Sequence, residues 1–186
     1  MTMAKHVLRY LKGTSDYGLI FRKSDVVNLT GFCDADWGNS EDRRSVTGYG
    51  FSLSKHGPLI SWKCRKQPTV ALSTCEAEYM SMCAAVQEAK FLTQLLKDMT
   101  GKVVNETVNL NVDSQSAISL ARNHVFHQRS KHIDIRYHFV RSEVENGFVQ
   151  LQYVPSENNI ADMFTKALSR VKLKQFIPAI LGTVEQ

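Results

Sequence analysis

The chain has 186 residues, 43% of them hydrophobic, enough to bury one sizeable core, so one domain with extensions is expected. A net charge of +5 and a pI near 9.0 permit a polyanionic partner without demanding one. No apolar run approaches the roughly 20 residues that cross a bilayer, and the first residues lack a signal-peptide core, so a soluble intracellular protein is expected. Cys33, Cys64, Cys75 and Cys83 form no Cys-x-x-Cys pair and sit in apolar segments, as reduced thiols do.

Residues 3 to 12 pattern as a short basic amphipathic helix stopped by Gly13. Tyr17 to Phe21 reads as a short strand, and Ser24-Asp25 as a turn. A strand then ends on Asp34-Ala35-Asp36, with Leu29, Gly31 and Cys33 on one face and Phe32 and Asp34 on the other. After a polar loop, strands near Thr47 to Leu53 and Leu59 to Cys64 join through Lys55-His56-Gly57-Pro58, giving an antiparallel meander. Met82, Ala85, Val86, Ala89, Leu92, Leu96 and Met99 recur at helical spacing. Ser73 and Glu76 form a capping box at the start of that helix, with Glu76 reaching back to the Ser73 N–H, and Gly101 closes it.

Val108 to Val112 alternates as a strand ending on Asp113, followed by a helix from Ser114 to Arg122. A basic link, 123 to 131, leads to a helix from Ile133 to Glu145 and a last strand from Phe148 to Val154. Asn158 opens a helix with Ile160, Phe164 and Leu168 on one face, and Val171 to Leu181 forms a basic amphipathic tail. Strands followed by alternating helices and strands predict a mixed α/β layer fold. The expected organisation is a connector over 1–25, a core domain over 26–168 and a helical tail over 169–186.

Four acids stand out. Asp34 ends a strand, Asp113 ends another, Glu78 lies at the head of the apolar stripe of a helix, and Asp162 sits in an early helical turn. Each has an ordinary reading alone: turn chemistry for Asp34, an N-cap for Asp113, and dipole complementarity for Glu78 and Asp162. Glu76, about 200° round the helix from Glu78, already has a capping role. Together the four would repel one another unless divalent cations neutralised them. An all-oxygen donor set suits two Mg²⁺ or Mn²⁺ ions, the arrangement that drives in-line phosphoryl chemistry.

The motifs that carry these acids run in order through most of the chain. They include Asp34-Ala35-Asp36-Trp37-Gly38, Asp42-Arg43-Arg44-Ser45-Val46-Thr47-Gly48-Tyr49, Ser61-Trp62-Lys63-Cys64-Arg65-Lys66-Gln67 and Leu72-Ser73-Thr74-Cys75-Glu76-Ala77-Glu78-Tyr79. They continue with Val112-Asp113-Ser114-Gln115-Ser116-Ala117, Lys131-His132-Ile133-Asp134-Ile135-Arg136-Tyr137-His138-Phe139 and Asn159-Ile160-Ala161-Asp162-Met163-Phe164-Thr165-Lys166. In these motifs the chain resembles the ribonuclease H domain of copia-type (pseudovirus) retrotransposon Pol polyproteins. The resemblance implies a ribonuclease H-like fold, with a five-stranded mixed sheet flanked by helices. It implies Mg²⁺-dependent cleavage of the RNA strand of RNA–DNA hybrids during reverse transcription, with Asp34, Glu78, Asp113 and Asp162 as the catalytic and metal-holding acids. It further implies a reverse transcriptase domain on the N-terminal side and a place in a cytoplasmic virus-like particle or the nucleus.

The catalytic-loop histidine of cellular type 1 enzymes has no counterpart between Phe148 and Asp162, leaving His132 and His138 as distant alternatives. His124, His127 and His132 fit no zinc spacing. For the nucleic acid, Arg129 and Lys131 in the basic link could track phosphates, and Trp62 with Lys63 could pair stacking with charge. Ser114, Gln115 and Asn158 are candidate donors to the sugar edge. Two competing readings remain: a binding or interaction domain of the same fold without catalysis, and an integrase core. The second needs its Glu after both Asp residues, whereas Glu78 precedes Asp113.

Overall fold

The structure, a computed structural model, describes residues 2–23, 26–38, 41–55, 57–100, 104–123 and 131–183. The elements in chain order are α1 (Thr2–Gly13), β1 (Thr30–Asp36), β2 (Val46–Ser52), β3 (Leu59–Lys66), α2 (Thr74–Thr100), β4 (Val108–Val112), α3 (Gln115–Arg122), α4 (Lys131–Glu145), β5 (Val149–Tyr153), α5 (Asp162–Thr165) and α6 (Arg170–Leu181). One five-stranded sheet has the order β3-β2-β1-β4-β5. β1, β2 and β3 form the antiparallel meander, and β4 and β5 continue the sheet parallel to β1. The expected mixed α/β fold is present.

Alternation along β1 sends successive side chains to different cores. Cys33 joins the main cluster with Met82, Ala85, Val86 and Ala89 of α2, Leu110 and Val112 of β4, and Tyr137 and Val140 of α4. Phe32 turns the other way, onto a second cluster of Leu59, Ile160, Phe164 and Phe176. Asp34 has the parity of Phe32, so it lies on the sheet face covered by α5 and α6. The four cysteines are free thiols. Among the described residues no helix is long and apolar enough to cross a membrane.

Two expected elements differ. Residues 17–21 form no strand; Ile20 N–H instead bonds the Leu181 carbonyl at the end of α6 (2.8 Å), which leaves Tyr17, Leu19 and Phe21 exposed. The helix expected from Asn158 is broken into a 3-10 turn (Ser156–Asn158) and the four-residue α5. The cause is Asn159, fully buried, whose Nδ2 donates to the Cys33 carbonyl (2.9 Å) and whose Oδ1 accepts from Ala161 N–H (3.2 Å). These bonds satisfy a buried strand carbonyl and hold the chain against β1, so a continuous helix cannot form. The Ser24-Asp25 turn, Gly101 and the link containing Arg129 lie outside the described residues.

The capping box also differs in detail. Ser73 Oγ accepts from Glu76 N–H (3.2 Å), as expected, but the Glu76 carboxylate takes the N–H of Leu72 (2.9 Å), one residue before the cap.

Candidate metal centre

β1 and β4 are neighbours in parallel register, with Cys33 opposite Val112. The next residues, Asp34 and Asp113, therefore emerge side by side. Asp113 is not the cap of α3, because Ser114 takes that role by accepting from Ala117 N–H (3.3 Å). Glu78, early in α2, reaches the same place and accepts from the Ala35 backbone. One carboxylate oxygen from each of Asp34, Glu78 and Asp113 lies within 4.8 Å of the other two.

Burial dominates the electrostatics. It pushes Asp34 up to about 6, reinforced by Asp113 and Asp162 and opposed by the Thr165 hydroxyl and the Lys166 ammonium. It pushes Glu78 up to about 9, reinforced by Asp34 and Asp113 and opposed by the Ala35 backbone and Lys166. Glu78 Oε2 is buried with no hydrogen-bond partner among the described residues. A buried, unsatisfied carboxylate oxygen beside two more carboxylates is costly unless a proton or a cation answers it. Three converging carboxylates with a spare oxygen fit a hard divalent ion.

Asp162 adjoins this cluster without entering it. It is 1% exposed and faces two ammonium groups: Lys172 of α6 bonds Oδ2, while Lys166 Nζ lies 2.6 Å from Oδ1 as an ion pair without hydrogen-bond geometry. Thr165, on the same short helix, donates its hydroxyl to Asp34 Oδ2. Burial alone would lower the Lys166 ammonium, but its pairing with Asp162 and the fields of Asp34, Asp162 and Asp113 outweigh that, and its net shift is upward. Sequence reasoning missed Thr165, Lys166, Lys172 and Asn159. Thr165 and Lys166 had a usable signal, since positions three and four beyond Asp162 share its helix face. Lys172 and Asn159 reach the site only through tertiary packing.

The expected nucleic-acid contacts scatter. Trp62 and Lys63 are consecutive in β3, so they leave opposite faces of the sheet and cannot act as a stacking-and-charge pair. Trp62 is exposed on the face of Gly50, and Lys63 lies 6.0 Å from the Tyr49 ring centroid on the α2 face. Lys63 instead shares a groove of about 280 Å³ with Arg65, Lys66 and Arg136. Ser114 is half-buried beside Asp113, while Gln115 and Asn158 are exposed. Arg129 lies outside the described residues, as does the side chain of Lys131, the first residue of α4. Arg122 Nη2 donates to the Leu151 carbonyl (2.8 Å). His138 is exposed on α4, and no histidine joins the acid cluster among the described residues.

No family model matches the chain. It is 38% identical over 173 residues to the retrovirus-related Pol polyprotein from transposon RE2 of Arabidopsis thaliana, covering 92% of this chain. It is 42% identical over 171 residues to that from transposon TNT 1-94 of Nicotiana tabacum, covering 91% of this chain. It spans 12% of the length of each of these relatives. Among solved structures it resembles the N-terminal RNase H domain of a Mycobacterium tuberculosis protein, with TM-score 0.56 and 15% identity, over 80% of this chain and 98% of that one. It also resembles an RNase H1 solved in complex with an RNA/DNA hybrid, with TM-score 0.53 and 13% identity, over 74% and 94% of the two chains. The chain is thus similar over nine-tenths of its length to one segment of retrovirus-related Pol polyproteins of copia-type transposons, and it has the ribonuclease H fold.

Proposed function

We propose that this chain is a Mg²⁺-dependent endoribonuclease that cleaves the RNA strand of RNA–DNA hybrids during reverse transcription, acting beside a reverse transcriptase domain of the same polyprotein. The observation that carries the reading is the convergence of Asp34, Glu78 and Asp113 within 4.8 Å, with a spare buried oxygen on Glu78. The RNA/DNA hybrid bound to a structural neighbour supports the substrate class.

Asp34, Glu78 and Asp113 would hold the metal, and Asp162 stands next to them as a fourth acid. Bound divalent ions would supply Lewis-acid activation of water and charge neutralisation at the phosphate. The chain's own contribution is placement. Thr165 orients Asp34, favouring its ionised form, and the Ala35 backbone does the same for Glu78. The basic groove of Lys63, Arg65, Lys66 and Arg136 offers a path for a nucleic-acid backbone. Ser114 and Gln115, immediately after Asp113, would serve as donors to a strand lying at the acids.

The test is cleavage of a labelled RNA–DNA hybrid by the purified chain with Mg²⁺, with EDTA, and with Asp113→Asn. Cleavage that needs Mg²⁺ and disappears in the variant is expected. Hybrid binding without cleavage by the wild-type chain would instead establish a non-catalytic binding domain.

A further inference from the structure

Asp162 stands beside the three converging carboxylates, and two ammonium groups pair with it. Lys172 is anchored on several sides: it pairs with Asp162 Oδ2, its Nζ reaches the Ser156 carbonyl at 3.4 Å, and it lies 5.5 Å from the Phe176 ring centroid. Lys166 is held differently. Its side chain is 42% exposed, its Nζ lies 2.6 Å from Asp162 Oδ1, and its charge also acts on Asp34 and Glu78. A flexible, part-exposed cation beside the cluster neutralises the same charge that a divalent ion would neutralise.

We propose that Lys166 is the built-in counter-ion of the metal centre, occupying Asp162 and screening the other acids, so that a divalent cation binds only in competition with it. The proposal rests on reading the acids as a metal site. It predicts that Lys166 holds the metal-free fold together electrostatically while weakening metal affinity. A cation that draws Asp162 into its ligand set must displace one ammonium from it, one held by the three other acids must overcome the ammonium's repulsion, and the lysine's long stem lets it move aside without disturbing α5.

The experiment is calorimetric titration of Mn²⁺ alone into the full chain, paired with thermal melts in EDTA. Lys166→Met should bind Mn²⁺ roughly threefold to tenfold more tightly than wild type, the range being set by a part-exposed charge. It should also melt lower in EDTA and gain more from added Mn²⁺. Lys166→Arg should resemble wild type, and Lys174→Met, an exposed position on α6 with the same loss of net charge, should leave the affinity unchanged. If Lys166→Met fails to fold without metal, Lys166→Gln replaces it, with tighter Mn²⁺ binding than wild type again expected. Equal or weaker Mn²⁺ binding by the neutral variant overturns the proposal. Absence of Mn²⁺ binding by the wild-type chain overturns the metal-site reading itself.

Discussion

Thr165 donates its hydroxyl to a carboxylate oxygen of Asp34, which lies 131 residues earlier in the chain. The bond ties the four-residue α5 to the central strand at the point where the acids converge. It also opposes the burial that drives Asp34 toward its protonated form. Thr165→Val should therefore raise the Asp34 carboxyl above about 6 and move the acidic limb of the cleavage pH profile to higher pH. Loss of a hydrogen bond to a charged group costs about 1.5–3 kcal/mol. Thr165→Ser should restore both the profile and the melting temperature. An unmoved pH profile with reduced stability would make Thr165 a packing residue alone.

Glu78 links stability to pH. Its carboxyl titrates near the ordinary value of 4.5 in the unfolded chain and near 9 in the fold. Between those values the unfolded state binds fewer protons, so the metal-free fold loses stability as pH rises, and the effect vanishes below 4.5. Glu78→Gln mimics the protonated acid. In EDTA its melting temperature should match wild type near pH 5 and exceed it increasingly toward pH 9. In Mg²⁺ it should have no hybrid cleavage. Glu76→Gln, which weakens the bond to Leu72 N–H, should melt lower by an amount equivalent to about 0.5–1.5 kcal/mol and keep its activity. Swapped behaviour of the two variants would show that the wrong glutamate was assigned.

The motif Asp34-Ala35-Asp36 offers two acids, and the geometry separates them. Asp34 supplies an oxygen to the three-carboxylate cluster, whereas Asp36 is the half-buried last residue of β1, opposite Val46. Asp34→Asn should leave no detectable Mg²⁺-dependent cleavage. Asp36→Asn should retain a measurable fraction, since a residue outside the ligand set typically costs about 10–100-fold. A dead Asp36→Asn with an active Asp34→Asn reverses the assignment.

Gly48 lets α5 approach the sheet. A Cβ there would sit 2.6 Å from Thr165 Cγ2 and 3.0 Å from the Ala161 carbonyl. Gly48→Ala should push α5 off β2 and disturb the Thr165–Asp34 bond, lowering cleavage beyond the roughly 1–3 kcal/mol expected of overpacking. Gly50→Ala meets Leu59 and Phe164 at 3.1 Å and should cost stability with less effect on rate. Comparing hybrid-cleavage rates at saturating Mg²⁺ with melts of the two variants checks this; equal rate losses would argue against it.

Periodicity and caps made most of the architecture readable from the residues. The alternation in 108–112, the apolar stripe of α2 and the cap at Ser73 depend on neighbours a few positions away, and all three recur in the fold. The placement of Asp34, Glu78, Asp113 and Asp162 at strand ends and helix starts predicts that all four converge; the first three do, because register between parallel neighbours brings strand ends together, whereas Asp162 lies beside them. The breaks came where a distant partner overrode a local pattern. Asn159 stops a helix by bonding a strand carbonyl 126 residues earlier, and residues 17–21 follow α6 in place of a sheet edge. The environment of Asp162 belongs to the same class. Its position in the chain was evident, but its pairing with Lys172 depends on how α6 returns over the sheet, and only tertiary packing decides that.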